Sequence, residues 1–502
     1  MAIKEFVRRF KPLEILSEEQ VDAIYAGILD ILWTSGMVIN SDKALKLLKI
    51  NGCKVNCEQK KAFLPSELVE ECLRKCPSSF TIKARNPINN VNVGGDKLNF
   101  MTYPGRVSVN LDSWDTQRAT RKEYYEAVTV LDALDSLHTL CAYTPWFEMA
   151  GVPPAMAMPE SMAARIRNST KVPMVGSLLE CDIFHLKMAE AVGTEIIQIA
   201  NTASPLAINE DVVDMIFRLS NSDFVLVVGD GGNLGATAPA TIAGAVVTGC
   251  AQMMAAIVLA KLIRPDARII ASNGMLPLNM RSGYPRFGDV STSLHIIASK
   301  QIWRRYGIPT FLLQSCSSKK IDFQLGYERM FMVLANALAG TDMIGIHGTI
   351  SSEMTHHPIQ AILDDDIANM VGRFLEGVNV SSDTLALDLI REVGSVPGSY
   401  LGSAHTRNWW KSEQYIPKAA DILTYPEWEE NGKKDCIIYA QERMKKIVDE
   451  HKVDPALTSV QEETVEKILE EARNYYRQKG HITDNEWNSY KESLNTEHYP
   501  YG

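Results

Sequence analysis

Between residues 224 and 274 the apolar positions form two short runs that are separated by a long helical pattern. Residues 224–228 are a continuous apolar, β-rich run, and residues 268–271 form a second one. A glycine-rich turn and a stretch of small residues at helical spacing lie between them. Unbroken apolar strands are typical of parallel strands that are covered on both faces. The segment therefore predicts a βαβ unit.

The same alternation of apolar strands and helical patterns continues from residue 101 to residue 405. Strands are predicted near residues 138–144, 173–179, 195–200, 224–228, 267–271, 310–314 and 343–347. An eighth strand is expected before Tyr400, where the pattern is poorly marked. This number of βα repeats favours an α/β fold of the (β/α)8 TIM-barrel type over a doubly wound sheet.

Two flanking segments have helical patterns without the barrel repeat. Residues 1–100 are predicted to form an N-terminal helical unit with a small β element, and Ser17 with Gln20 matches a capping box. Residues 406–480 contain amphipathic, highly charged helices. Residues 481–502 are polar with scattered aromatic side chains and are predicted to be a partly ordered tail. The expected catalytic domain is residues 101–405.

Charge and composition exclude two classes of partner. The 502 residues carry a formal net charge of −10, so we expect binding neither to nucleic acid nor to an anionic membrane surface. Residues 238–260 lack charged side chains and reach the length of a membrane span. Gln252, the glycines and the surrounding βαβ pattern favour a helix buried inside the protein or at a subunit contact. A homo-oligomer without a membrane span is expected.

The cysteines are expected to be free thiols. The N-terminus lacks the apolar core of a secretory signal, so we expect a cytoplasmic protein whose nine cysteines form no disulfides. Cys53 with Cys57 and Cys72 with Cys76 form two C-x3-C pairs, which are longer than the usual C-x2-C zinc knuckle. The second pair also has helical spacing. No metal site is therefore predicted.

The working residues of a barrel enzyme lie in the loops that follow its strands. One of these loops, GDGGNLG at residues 229–235, joins a strand to a helix as a dinucleotide-binding turn does. A G-x-G-x-x-G pattern starting at Gly229 would require glycine in place of Leu234, and an acidic residue roughly 20 positions later is missing. The turn is therefore interpreted as one whose glycines permit close approach of backbone or ligand.

Two other loops leave alternatives open. His347, His356 and His357 lie near Glu353 in sequence and could bind a metal, although no H-E-x-x-H spacing is present. Lys319 follows another predicted strand and could form a Schiff base if it were desolvated. No G-x-S-x-G motif occurs. By residue pattern alone the chain is a barrel enzyme of unspecified chemistry.

Several segments together resemble the trimethylamine methyltransferase family of corrinoid-dependent enzymes. In chain order, between about residues 40 and 430, they are ALKLLKINGCKVN, FTIKARNP, VNVGGDKLNF, GATAPATIAGAVV, LAKLIRPDARII, MRSG, QLGYE, LDDDIANMV, LALDLIREVG and GSYLGSAHT. The family's founding members carry pyrrolysine, whereas this sequence contains ordinary residues throughout. It is therefore similar to the branch without pyrrolysine, whose members demethylate quaternary amines such as glycine betaine, proline betaine and carnitine.

The resemblance implies a TIM barrel that passes one methyl group to the Co(I) of a separate, cognate corrinoid protein docked at the barrel mouth. No cofactor is then tightly bound by this chain itself. The leaving group of a quaternary ammonium is a neutral tertiary amine, so positioning replaces acid–base catalysis and no catalytic acid or base is assigned. The alternatives are a zinc- or lysine-dependent barrel enzyme and a non-catalytic partner of a corrinoid protein.

On this hypothesis, residues at the strand ends form the substrate site. The aromatic side chains expected to surround the ammonium group are Tyr103, Tyr143, Trp146, Phe147 and Tyr284. The side chains expected to bind a substrate carboxylate are His347, Arg281 and Gln314. Asp230 and Asn233 are expected to orient the substrate or to bound the pocket. Because Arg281 belongs to the MRSG segment, a role in the fold or in the corrinoid contact is its alternative.

Overall fold

Eight parallel strands close into a barrel in the computed structural model, which describes residues 3–496 and 499–501. The barrel strands, numbered in chain order, are β1 Lys97–Thr102, β2 Leu137–Leu140, β3 Val172–Val175, β4 Ile197–Asn201, β5 Val225–Gly229, β6 Arg268–Ser272, β7 Thr310–Leu313 and β8 Met343–His347. Each strand pairs in parallel with the next, and β8 pairs with β1 through Met343 and Asn99 to complete the closure. The predicted TIM-barrel fold is confirmed.

A helix follows every barrel strand and covers its outer face. These helices are α1 Arg121–Ala133, α2 Ala157–Asn168, α3 Asp182–Val192, α4 Glu210–Arg218, α5 Ile242–Ile263, α6 Val290–Arg304, α7 Phe323–Leu338 and α8 Pro358–Leu375. Local sequence marks several of the helix starts: Thr120 and Glu123 form a capping box at α1, and Asp322 caps α7. The alternation of strands and helices is therefore encoded locally.

The prediction of a strand before Tyr400 was wrong. That region contains the helices Ser382–Leu385 and Leu387–Val393. The eighth strand of the barrel is instead β1, which lies at the predicted boundary between the N-terminal unit and the barrel. A turn at Gly94 and Gly95 directly precedes β1, so the sequence of β1 by itself predicts a strand of the small N-terminal β element. Pairing with β8, almost 250 residues later in the chain, gives β1 its place in the barrel.

The N-terminal unit is helical with a small β element. Its helices are Glu18–Thr34, Asp42–Ile50 and Ser66–Arg74, with a 3-10 turn at Pro87–Asn89; its strands are Phe6–Val7, Met37–Ile39, Lys54–Asn56, Lys61–Phe63, Phe80–Ile82 and Val91–Val93. The predicted capping box of Ser17 and Gln20 is present at the first helix. Ile82, Val91 and Val93 join the apolar cluster inside the barrel, so the last hairpin closes the barrel's N-terminal end.

Helix α5 is long and apolar enough to cross a membrane by length and composition, but 72% of its most apolar window is buried. The N-terminal helices Glu18–Thr34 and Ser66–Arg74 and the neighbouring α6 pack against it. The same chain thus supplies the cover for this helix. The sequence-based choice of a buried helix agrees with this packing.

The chain continues beyond the barrel as further helices. They are Ala404–Glu413, Tyr425–Glu430, Cys436–Glu450, Ser459–Gln478 and Asp484–Leu494. The last of them lies inside the predicted tail, and its Tyr490 is fully buried and donates a hydrogen bond to Glu160 of α2. That buried contact, which joins residues far apart in the chain, orders this part of the tail. Residues 497, 498 and 502 of the tail lie outside the described residues.

Candidate active site at the barrel mouth

The barrel interior is a packed apolar core, so a ligand can bind only above it, at the ends of the strands. The core includes Met101, Cys141, Met174, Ile197, Val225, Val227, Ile270, Phe311 and Met343. Tyr143, Ile199 and Leu313 pack on top of this cluster and remain partly exposed. The strand ends thus form an apolar floor. A Cβ atom on Gly345 would lie only 2.6 Å from Leu313 Cδ2, so a larger residue there would displace the Leu313 side chain from the floor.

An aromatic pair stands on one side of the floor. The Tyr143 and Phe147 ring centroids are 4.1 Å apart with an interplanar angle of 42°. Tyr143 has a left-handed backbone with φ of 60°, which a non-glycine residue adopts at a cost of about 1–3 kcal/mol. Phe147 is held by a hydrogen bond from its backbone N–H to the Gly105 carbonyl. The surrounding backbone therefore imposes the orientation of this pair.

Tyr103 is a buried aromatic residue near the mouth whose phenol makes a polar contact. It follows β1, is 3% exposed, and donates a hydrogen bond from its phenol to the Glu353 carboxylate. Burial, with the nearby Glu353 charge, holds the pKa of Tyr103 well above its usual value. Sequence reasoning considered Glu353 only as a neighbour of possible metal ligands. The contact spans 250 positions in the chain, and no local signal in the sequence indicates it.

Gln314 follows β7 at the edge of the floor. Its backbone N–H donates to the Gly345 carbonyl, and its own carbonyl accepts from the buried Arg329 guanidinium. The Gln314 side-chain amide makes no hydrogen bond within residues 3–496 and 499–501. The structure thus brings Tyr103, Tyr143, Phe147 and Gln314 to the mouth, together with Glu353. Their contact with a substrate remains a prediction.

Trp146 lies in the barrel wall although it is next to Phe147 in the chain. It is buried, its indole N–H donates to the His356 carbonyl at 3.0 Å, and its ring packs edge-on against Tyr124. The side chain belongs to the apolar cluster that α1 and α8 form outside the barrel core. The structure therefore separates Trp146 from the other aromatic residues predicted to surround an ammonium group.

His347 also lies in the wall. It is fully buried, and its Nε2 donates to the Ser136 hydroxyl at 3.2 Å while that hydroxyl donates to Asp365. The Phe100 ring packs edge-on against it. Burial lowers the pKa of His347 to about 3, so the imidazole is neutral near pH 7. A neutral, enclosed imidazole is a poor partner for the carboxylate of a ligand at the mouth.

Asp230 points from the end of β5 toward helix α5. Its carboxylate accepts hydrogen bonds from the Gly274 backbone N–H and from the Asn273 amide. A Cβ atom on Gly249 of α5 would lie 2.3 Å from Asp230 Oδ2, so glycine makes room for the carboxylate. Burial raises the pKa of Asp230 to about 7. Asn273 accepts in turn from the Trp303 indole at 2.6 Å, which completes a buried network between strands and helices.

The remaining predicted residues lie on two outer loops that follow β5 and β6. Asn233–Leu234 of the first loop pairs in parallel with Leu276–Pro277 of the second. Arg281 and Tyr284 are exposed on the second loop, Tyr284 to 49%. Arg281 forms no ion pair within the described part of the chain. These loops form a rim beyond the floor.

Two groups considered for other chemistry have ordinary surroundings. Across residues 3–496 and 499–501, no group of three or more His, Cys, Asp or Glu side chains is arranged to hold a metal ion. All four cysteines of the C-x3-C pairs are free thiols. Lys319 is exposed, and its ammonium group donates to the Ser317 carbonyl at 2.6 Å. The desolvation that would activate this lysine is missing.

The fold and the site together define a class of protein: a (β/α)8 barrel enzyme with an apolar, aromatic mouth and the Glu353 carboxylate beside it. The family model "Trimethylamine methyltransferase (MTTB)" matches residues 1–474. The chain belongs to this family and is a methyltransferase.

Two sequence relatives agree with this assignment. The chain is 29% identical to the glycine betaine methyltransferase of Desulfitobacterium hafniense strain Y51, over 82% of this chain and 88% of the relative. It is 25% identical to the trimethylamine methyltransferase MttB of Desulfitobacterium hafniense strain DSM 10664 / DCB-2, over 92% and 94% of the two chains. A solved structure, the Methanosarcina barkeri monomethylamine methyltransferase MtmB, aligns over 91% of this chain and 92% of its own with a TM-score of 0.47 and 11% identity.

Proposed function

We propose that this protein transfers a methyl group from a small quaternary amine, such as glycine betaine, proline betaine or carnitine, to the Co(I) of a cognate corrinoid protein. The observation that carries the proposal is the apolar floor with the Tyr143–Phe147 pair at the end of the barrel. The similarity to a glycine betaine methyltransferase supports the same substrate class.

A quaternary ammonium is recognised differently from other amines because it has no N–H to donate. Aromatic faces attract its diffuse charge by cation–π interaction, worth about 0.5–2 kcal/mol according to the degree of desolvation. Tyr143 and Phe147 present such faces, and Ile199 and Leu313 keep the floor apolar. Gln314 carries the uncommitted amide that suits the carboxylate of a betaine. The mouth therefore combines the features that this substrate class requires.

The proposed reaction needs no proton donor. The cobalt electron pair attacks the methyl carbon, the C–N bond breaks, and its electron pair stays on nitrogen as a neutral tertiary amine. Co(I) becomes methyl-Co(III), and the positive charge of the substrate disappears as the bond breaks. Such charge annihilation is favoured where water is excluded. The roles left to the protein are to hold the methyl group in line and to keep the floor dry.

The corrinoid is proposed to arrive on another protein and not to be bound tightly by this chain. The floor lies at the ends of the strands, so the acceptor has to approach from the mouth. The rim loops with Asn233, Arg281 and Tyr284 surround this approach, and the exposed side chains of Arg281 and Tyr284 suit a transient contact. Their predicted role therefore moves from the substrate to the partner.

We also propose that the protein self-associates through residues 376–418. None of these residues is buried, although the segment contains helices; Val396 is 96% exposed and Leu401 is 85% exposed. Ordered apolar helices without a covered face lack the burial that offsets their conformational entropy. Sedimentation should show an oligomer that Leu401→Asp dissociates and that Ile50→Asp, at another exposed apolar position, leaves intact. A monomeric wild type would contradict this.

The transfer itself can be observed on cobalt. The protein is mixed with a Co(I) corrinoid protein and, in separate reactions, with glycine betaine, proline betaine, carnitine, trimethylamine and a methyl thioether. We expect the Co(I) spectrum to change to that of methyl-Co(III) with at least one quaternary amine. A response to trimethylamine or the thioether, with none to any quaternary amine, would overturn the proposed substrate class.

A further inference from the structure

The Glu353 carboxylate lies beside the mouth without a neutralising charge. Its hydrogen-bond partner is the phenol of Tyr103, and within the described ranges it forms no ion pair with lysine, arginine or histidine. The nearby Arg106 guanidinium pairs with Glu148 instead, and Arg118 joins the same carboxylate at 3.0 Å. Two carboxylates on the same side of the barrel thus differ: Glu148 is neutralised twice and Glu353 is not.

The hairpin that carries Glu353 is held in a strained conformation. Ser351 and Ser352 precede it with φ angles of 55° and 66°, a left-handed backbone that serine rarely adopts. Their N–H groups donate to the Ser318 carbonyl at 2.8 Å and to the Cys316 carbonyl at 2.7 Å. The loop after β7 therefore holds this turn in place. Backbone strain that the surroundings enforce is typical of functional positions.

The Glu353 charge influences a thiol of the barrel core. Cys141 lies inside the barrel, with its Sγ 3.7 Å from Met174 Sδ. Burial raises the pKa of the Cys141 thiol to about 12, and the Glu353 charge acts in the same direction. Tyr103, which donates to Glu353, directly follows β1. Glu353 is exposed, and its backbone carbonyl accepts from the Arg106 N–H at 3.1 Å, while the neighbouring Gly105 carbonyl accepts from the Phe147 N–H. Glu353 therefore lies at the solvent-facing edge of the mouth, close to the segment that holds Phe147.

We propose that Glu353 is the counter-charge that selects a permanently cationic substrate, and that Tyr103 and the strained hairpin position it. This inference deepens the proposed function and rests on it. An ammonium group on the floor would find its aromatic faces in Tyr143 and Phe147 and its opposite charge in Glu353. A neutral molecule of the same shape would gain only the apolar contacts.

The chemistry predicts an unusual kinetic signature for this residue. Because the positive charge of the substrate disappears in the transition state, Glu353 attracts the bound substrate more strongly than the transition state. Its removal should weaken binding without slowing the bound complex. A residue that only supports the fold would lower stability and activity together. The ratio of the KM effect to the kcat effect therefore separates the two roles.

The test compares Glu353→Gln with the matched control Glu148→Gln. For the quaternary amine that the wild type demethylates, Glu353→Gln should raise KM about tenfold or more and leave kcat within about twofold. Glu148→Gln removes a carboxylate that is already neutralised and should leave both constants unchanged. Glu353→Asp keeps the charge and should recover part of the loss. Circular dichroism and thermal unfolding establish that each variant is folded.

A binding measurement makes the inference independent of methyl transfer. Calorimetry without corrinoid protein compares glycine betaine with its neutral carbon isostere 3,3-dimethylbutyrate. The wild type should favour the cation, and Glu353→Gln should reduce that preference about tenfold. An unchanged preference, or a loss of kcat with KM unaltered, would overturn the role of Glu353. If no methyl-Co(III) forms with any quaternary amine but the protein still prefers the cation in calorimetry, the proposed reaction is overturned and the role of Glu353 in binding is not.

Discussion

Trp146 and Phe147 are consecutive aromatic residues after the same strand, and the structure gives them opposite surroundings. Trp146 is buried in the wall, with its indole N–H bonded to the His356 carbonyl. Phe147 is partly exposed and packs against Tyr143 above the barrel core. Successive residues of an extended chain point in opposite directions. A residue's position at a strand end therefore does not reveal whether it faces a ligand or the helices.

The same contrast separates His347 from Glu353. His347 is the last residue of β8 and Glu353 lies six positions later, and both carry groups that could contact a small polar ligand. His347 is enclosed by Ser136, Asp365 and Phe100, whereas Glu353 returns over a tight hairpin to meet Tyr103. Mutations on the two sides should have different signatures: wall residues should affect stability, and mouth residues should affect substrate binding.

The largest effect is expected for Trp146→Ala. The substitution empties a buried aromatic site and leaves the His356 carbonyl without its donor, so the free energy of unfolding should fall by about 3–5 kcal/mol. Urea denaturation measures this loss. The KM for the amine, measured at a temperature where the variant is folded, should stay within about twofold of wild type. A raised KM with normal stability would place Trp146 at the substrate.

An effect that depends on pH is expected for His347→Gln. The folded protein holds this imidazole at a pKa of about 3, below the ordinary value of about 6.5. The folded state therefore binds the proton more weakly than the unfolded state, and stability is lost as pH falls from about 6.5 toward 3.

Removing this group should lessen that loss by up to about 1.4 kcal/mol for each pH unit in that window. Urea denaturation of variant and wild type at several pH values from about 4 to 7 measures the difference. If the free energy of unfolding has the same pH dependence in the two proteins, the imidazole titrates normally in the folded state. A large change in KM would instead support the predicted role of His347 in substrate binding.

A binding effect is expected for Phe147→Ala. The loss of one aromatic face should raise the KM for a quaternary amine about tenfold, in keeping with a cation–π contribution of about 0.5–2 kcal/mol. Stability should change by less than in Trp146→Ala because Phe147 is partly exposed. The two neighbouring variants serve as controls for each other, in steady-state kinetics and in urea denaturation. Indistinguishable profiles would contradict the separation of wall and mouth.

The smallest effects are expected on the rim. Arg281→Ala and Tyr284→Ala remove exposed side chains, so stability should change by less than about 0.5 kcal/mol. Binding of the free amine, measured by calorimetry, should be unchanged. The rate of transfer should decrease at low concentrations of the corrinoid protein and recover at high concentrations, since a partner contact is weakened. A loss of amine binding would instead support the sequence-based assignment to the substrate.

Local patterns were sufficient to predict most of the fold. The apolar run at residues 224–228, the helix after it and the run at residues 268–271 became β5, α5 and β6, because each element is specified by its own hydrophobic period. The strand expected before Tyr400 was wrong because its apolar residues belong to short helices. β1 was assigned to the N-terminal unit because its partner β8 is remote in the chain.

The sequence by itself determined the alternation of strands and helices, the buried character of α5 and the loops in which a site would lie. Only the tertiary structure decided which side chains meet. Barrel closure brings Tyr103 to Glu353 across 250 positions and turns Asp230, Trp146 and His347 toward the helices. The physical reason is that hydrophobic periodicity is a local property, whereas the direction of a side chain at a strand end depends on strand register, bulges and packing against distant elements.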